Sequence, residues 1–237
     1  MKNKKLILFL LVILSVFTLI GCKDNKDDDT PHEHVYVDGI CGCGEKDPNQ
    51  KDPDKPIIST NDTSALVNKV EGKTIYASPE IEYASSNTGT ESSPLNVLKA
   101  VTLLSAGDTL ILKDGTYVLR DVIRIPETQN GNFASYIKVI AETPNKVIFD
   151  FSNMPFGSNN RGVQIDGDYW YFYGVNITGA GDNGMYIGGN FNIIEYCQFY
   201  NNRDTGLQLG RSNGSYSQIK DWPSNNLIKN CRIGSIQ

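Results

Sequence analysis

The chain has 237 residues and a formal net charge of −5. That acidic balance excludes the basic electrostatic footprint of a nucleic-acid binder. The longest apolar run, residues 6–20, holds 15 residues, which is short of the ~20 that a spanning helix needs.

Lys2, Lys4 and Lys5 precede that run, and Gly21-Cys22 follows it. This is the positive n-region and apolar h-region of an export signal. Leu19-Ile20-Gly21-Cys22 resembles the bacterial lipobox, in which the cysteine becomes the lipidated first residue of the mature protein. The resemblance implies a signal peptide over residues 1–21, lipidation at Cys22, and a mature chain outside the cell, held to the membrane by acyl chains. An ordinary signal peptide with a chance cysteine is the plainer alternative.

Residues 22–70 are a different material. They carry the acidic run Asp24-Asn25-Lys26-Asp27-Asp28-Asp29 and few large apolar residues. Such a segment cannot bury enough surface to offset its ordering entropy and reads as a flexible acidic tether. Within it lie His32-Glu33-His34 and Cys41-Gly42-Cys43-Gly44, with the only histidines of the chain. His32, His34, Cys41 and Cys43 have soft-metal ligand chemistry and make zinc a candidate. A disulfide and a solvated spacer are the competing readings, since Cys-x-Cys is tighter than the usual zinc spacing.

Residues 71–237 form one domain's length. Lys73-Thr74-Ile75-Tyr76-Ala77 is a strand candidate. From Ser93 onward the pattern turns helical: Ser93 suits a cap, Pro94 the first position, and Val97, Leu98, Val101 and Leu104 share one face. Gly107-Asp108 ends that helix. Thr109 to Leu112 reads as a strand, and Asp114-Gly115-Thr116-Tyr117 as a tight turn. Further strands fall at residues 136–140 and 147–151. The order suits an amphipathic helix capping the open end of a stack.

From residue 161 the chain repeats itself. Gly162-Val163-Gln164-Ile165 recurs as Gly184-Met185-Tyr186-Ile187 and as Gly206-Leu207-Gln208-Leu209, with glycines 22 residues apart each time. Val175-Asn176-Ile177 recurs as Cys197-Gln198-Phe199 after 22 residues and as Cys231-Arg232-Ile233 after 34, one period plus a 12-residue insertion. A fixed period in the low twenties, with β-branched and aromatic residues alternating between Gly, Asn and Asp, signals a β-solenoid. Alternation sends Val163, Ile165, Met185, Ile187, Leu207 and Leu209 inward. Gly and Asn supply left-handed corners. The fold class read from this is all-β, a right-handed parallel β-helix of about three short strands per coil with an N-terminal amphipathic capping helix. A β-sandwich with accidental periodicity is the alternative. Cys197 and Cys231, in one column, read as core.

The stretch Gly167-Asp168-Tyr169-Trp170-Tyr171-Phe172-Tyr173-Gly174 resembles polysaccharide lyase family 9. So do Ala180-Gly181-Asp182-Asn183-Gly184-Met185-Tyr186, Asn201-Asn202-Arg203-Asp204-Thr205-Gly206-Leu207, and the entry at Gly107-Asp108-Thr109 and Gly115-Thr116-Tyr117. The resemblance covers roughly residues 74–233. It implies pectate lyase chemistry on pectin or a related polyuronate: calcium held by aspartates acidifies the C5 proton, and a lysine base removes it. It also implies that the calcium aspartates and base lysine follow the coil that ends at Ile233. The 237 residues contain no Asp-Asp-Gly element in the solenoid, so no catalytic residue is assigned, and residues 71–237 read as the N-terminal part of a longer, monomeric enzyme.

Among residues present, Asp182 and Asp204 align with each other and are calcium or turn candidates. Arg203 and Arg211 could pair with uronate carboxylates through their planar forks, or simply lie on a polar ridge. Tyr216 and Trp222, in the inserted loop, are sugar-contact candidates. Tyr169, Trp170 and Tyr171 are divided between a stacking platform and core. Three function classes remain: a surface-anchored lyase lineage, a non-catalytic carbohydrate-binding or adhesive β-helix, and a hydrolase with paired carboxylates. The last lacks an obvious second acid.

Overall fold

The computed structural model describes residues 36–37, 40–41, 67, 70–211 and 217–234. The chain divides into two compact units, residues 1–55 and 56–237. In the first, β1 (Tyr36–Val37) pairs antiparallel with β2 (Ile40–Cys41), with Tyr36 opposite Cys41.

The second unit is a right-handed parallel β-helix. Its first strand, β3 (Thr74–Ala77), is followed by α1 (Val97–Thr102) and then by coils of three strands each. The first coil holds β4 (Thr109–Leu112), β5 (Gly115–Val118) and β6 (Ile123–Ile125). The second holds β7 (Ile137–Ala141), β8 (Val147–Asp150) and β9 (Val163–Ile165). The third holds β10 (Trp170–Tyr173), β11 (Val175–Thr178) and β12 (Met185–Ile187). The fourth holds β13 (Ile193–Glu195), β14 (Gln198–Tyr200) and β15 (Leu207–Leu209), and β16 (Leu227–Lys229) and β17 (Arg232–Ile233) open a fifth. Equivalent strands stack into three parallel sheets, ordered β3-β4-β7-β10-β13-β16, β5-β8-β11-β14-β17 and β6-β9-β12-β15.

The register follows the repeat. Met185 lies between Val163 and Leu207, and Ile187 between Ile165 and Leu209. Gln198 lies between Asn176 and Arg232. The interior is therefore columns of like residues, such as Leu110, Val139, Phe172, Ile194 and Ile228. Val163, Ile165, Met185 and Ile187 are fully buried, as alternation predicts. Leu209, on the terminal strand of its sheet, is 42% exposed. Cys197 is buried core and Cys231 packs against it as a free thiol.

Three local readings are corrected. Helix α1 is capped by Asn96, whose Oδ1 accepts the Leu98 amide at 2.9 Å, and not by Ser93. Leu95 is drawn into the core and its backbone bonds Tyr76, so the chain is still extended there. Residues 115–118 are strand β5 and not a turn: Tyr117 is buried and its hydroxyl lies 2.9 Å from both Ala77 O and Lys113 O, which share its one proton. The left-handed corners are also not confined to Gly and Asn. Tyr169, Phe191 and Asn225 share one corner of successive coils, and Gly174, Tyr196 and Asn230 share another, all with positive φ. A bulky residue there costs on the order of 1–2 kcal/mol. Ring contact offsets it: Tyr169 stacks on Phe191 with centroids 4.7 Å apart, and Tyr196 meets Tyr173 edge-on at 5.5 Å.

Trp170 is wholly buried, and Tyr171 lies with Tyr136, Ile193 and Val67 in a second cluster outside the first sheet. These aromatics are packing residues, not a sugar platform.

Candidate functional site

The sheet β6-β9-β12-β15 presents one outward rung per strand, because the residue between two buried ones faces out. The rungs are Arg124, Gln164, Tyr186 and Gln208, aligned in register. They floor an open groove of about 610 Å³, walled by Asn159, Arg161, Leu209, Gly210, Arg211 and Trp222.

The groove is internally braced. The Arg161 guanidinium lies flat on the Tyr186 ring, 3.5 Å from its centroid, and Nη1 donates to Gln164 Oε1 at 3.0 Å. Gln164 passes the link on, its Nε2 donating to Asp166 Oδ2 at 2.6 Å. The Tyr186 hydroxyl donates to Arg211 O at 2.9 Å, and the Arg211 guanidinium sits 5.3 Å over the Trp222 ring. Burial pushes the Asp166 carboxyl above its ordinary range; the Gln164 hydrogen bond and the charges of Arg124 and Arg161 partly offset this. Its Oδ1 is buried without a partner. Three arginines, Arg124, Arg161 and Arg211, thus line the groove, which suits an anionic ligand.

The sequence candidates divide. Arg211 and Trp222 come together in the groove wall. Arg203 does not join them: it is exposed, with its guanidinium 4.6 Å over Phe156. Tyr216 lies outside the described residues, as do Cys22, His32, His34 and Cys43; for Cys41 only the strand is described. Asp182 accepts the Asn159 amide at 3.0 Å, with Arg161 Nε 3.7 Å from Oδ2. Asp204 accepts from Asn183 Nδ2 at 3.1 Å. Both therefore tie one coil to its neighbour instead of capping their own turns. Calcium needs several converging oxygens. Among the described residues no group of three or more His, Cys, Asp or Glu could hold a metal. Sequence reasoning missed Arg124, Arg161, Gln164 and Tyr186. The signal was present: Gln164, Tyr186 and Gln208 are the alternate positions of the repeated motif.

The second unit is thus a parallel β-helix with an arginine-lined, aromatic-edged groove on one sheet. Residues 75–233 match the family model described as Pel9A-like, right handed beta helix region, and the chain belongs to that family. It is 41% identical over 173 residues to a pectate lyase L of Paenibacillus polymyxa (strain SC2), covering 73% of this chain and 38% of that one. It is 31% identical over 175 residues to a pectate lyase L of Dickeya chrysanthemi, covering 69% and 40%. The crystal structure of pectate lyase Pel9A superposes with a TM-score of 0.57 at 28% identity, covering 72% of this chain and 42% of that one. The chain thus spans about two fifths of the length of these relatives.

Proposed function

We propose that these coils bind an anionic polyuronate of the pectin type along the β6-β9-β12-β15 groove, as part of a pectate lyase lineage. One observation carries the reading: the rungs Arg124, Gln164, Tyr186 and Gln208 form a straight track at right angles to the strands, flanked by Arg161 and Arg211. Successive rungs are ~4.8 Å apart, so the track runs ~14 Å. An extended polymer with one carboxylate per sugar fits a track bordered by three guanidinium forks, those of Arg124, Arg161 and Arg211. The arginines neutralise and orient the carboxylates, the half-exposed Trp222 offers a ring face to the sugars, and the brace through Gln164 holds Arg161 ready before ligand arrives.

In this reading calcium-assisted β-elimination belongs to the lineage, and its calcium aspartates and base lysine are not among residues 1–237. Cys22 is the proposed lipid attachment point, holding the domain at the cell surface through the tether. The test is calorimetric titration with polygalacturonate and with neutral galactan. Binding of the first alone supports the reading; equal or absent binding of both overturns it. Ultraviolet absorbance of the same mixture with added calcium, then chelator, is expected to show no unsaturated product. Calcium-dependent turnover would place a catalytic set within these residues.

A further inference from the structure

The brace beneath the groove ends on a carboxyl that does not line it. Asp166 directly follows β9 and receives the far end of the chain Arg161–Gln164–Asp166. Each link has a polarity. A guanidinium only donates, so Arg161 requires the oxygen end of the Gln164 amide. The nitrogen end must then meet an acceptor, and Asp166 Oδ2 supplies it. Arg161 depends on this link: its Nε is buried without a hydrogen-bond partner among the described residues, and Asp182 Oδ2 lies 3.7 Å from it. The charged groups that act on Asp166 are Arg124 on β6, Glu127 just beyond it, and Arg161. Gly188 and Gly210 hold the corresponding positions on the next two coils and carry no side chain.

We propose that Asp166 is a positioning residue for the groove: its ionised carboxylate fixes which way the Gln164 amide faces, and so holds Arg161 across Tyr186 for an anionic ligand. The proposal rests on the polyuronate reading above. An ionised carboxylate accepts at both oxygens, so it meets Gln164 through Nε2 alone. A protonated one can also donate. It can then turn the amide round and set Nε2 against the guanidinium, donor to donor. The buried, unpartnered Oδ1 is a cost that packing alone does not call for. Burial favours the protonated form, and the Gln164 bond and the charges of Arg124 and Arg161 oppose it. The relay therefore predicts binding that strengthens as pH rises through the Asp166 titration. Direct repulsion between Asp166 and an anionic ligand predicts the reverse.

The experiment measures oligogalacturonate affinity by calorimetry from about pH 4 to about pH 8, for the wild-type chain and for Asp166→Asn, whose side chain does not titrate. The charge state of the ligand is common to both and cancels in the ratio of their affinities. That ratio is expected to rise about two- to tenfold in favour of the wild type as pH rises, the effect of ordering one freed side chain on binding. In a Gln164→Leu background the ratio is expected to stay flat, because the link is cut. Should Gln164→Leu fail to fold by circular dichroism, Arg161→Ala serves as the background, since a relay with nothing to position must also give a flat ratio. A ratio that is flat or falls with pH when Gln164 and Arg161 are intact overturns the relay, as does a rise that persists in either background. Absence of wild-type binding at every pH overturns the polyuronate reading itself, which keeps the two failures apart.

Discussion

Asn192 offers a sharp test of how the coils are held. It is fully buried at the turn before β13. Its Oδ1 accepts the Trp170 amide at 2.8 Å, and its Nδ2 donates to Gly167 O at 3.1 Å. Asn226 repeats the arrangement one coil on, accepting from Asn192 N and donating to Gly189 O. Asn192→Ala leaves two buried backbone groups without partners. Each costs about 1–3 kcal/mol, so the loss is roughly 2–6 kcal/mol. For a domain of this size each kcal/mol lowers Tm by about 2–4 °C, and a fall of roughly 5 °C or more is expected in a thermal melt followed by circular dichroism. Asn176→Ala is the control. Asn176 is also buried, yet it donates one bond, to Asn145 O, and its Oδ1 has no partner. Truncation there removes an unsatisfied oxygen along with the bond, so about 1 kcal/mol or less should be lost. Equal losses at the two sites, or a change below about 1 kcal/mol at Asn192, would refute the assignment of stability to the turn ladder.

Arg161 acts through its plane and fork, so Arg161→Lys should weaken oligouronate binding nearly as much as Arg161→Ala, between about twofold and thirtyfold; recovery of wild-type affinity by Lys would reduce its role to bare charge. Asp166 has a folded pKa raised above its ordinary 3.8, mainly by burial. The stability tied to its protonation is complete below the unfolded value and lost as pH rises through the folded one. The stability of Asp166→Asn relative to wild type should therefore grow as pH rises from about 4, and denaturant titrations giving a flat difference would remove this role. Zinc binding by His32, His34, Cys41 and Cys43 is proposed on ligand chemistry. The full chain is expected to carry metal by elemental analysis and to lose it in Cys41→Ser with Cys43→Ser, whereas unchanged metal content in that variant would dismiss the site.

The fold was legible where the coils have minimal length. From Tyr171 to Ile193 the step is 22 residues (193 − 171), and there the repeat announces itself. Earlier steps are 29, from Thr109 to Lys138, and 33, from Ile137 to Trp170. Loops swell those coils and hide the period, which is why β6 went unseen and β5 passed for a turn. Tyr169 and Phe191 misled differently: their left-handed backbone is sustained by a ring stack formed only between coils, a tertiary term that local propensity does not contain. The groove shows the same asymmetry. Arg211 and Trp222 stood out as residue types in an insertion. Arg161 needed the register, because its value comes from lying across Tyr186 on the next coil.

The stacking has a consequence for how such a groove changes size. A 22-residue unit spliced between Gly184 and Gly206 adds one rung to every sheet and about 4.8 Å to the floor, with the new strand pairing Met185–Ile187 on one side and Leu207–Leu209 on the other in the same register. Ligand length can thus be altered in whole-number increments by duplication, while loops grow at the corners without disturbing the count.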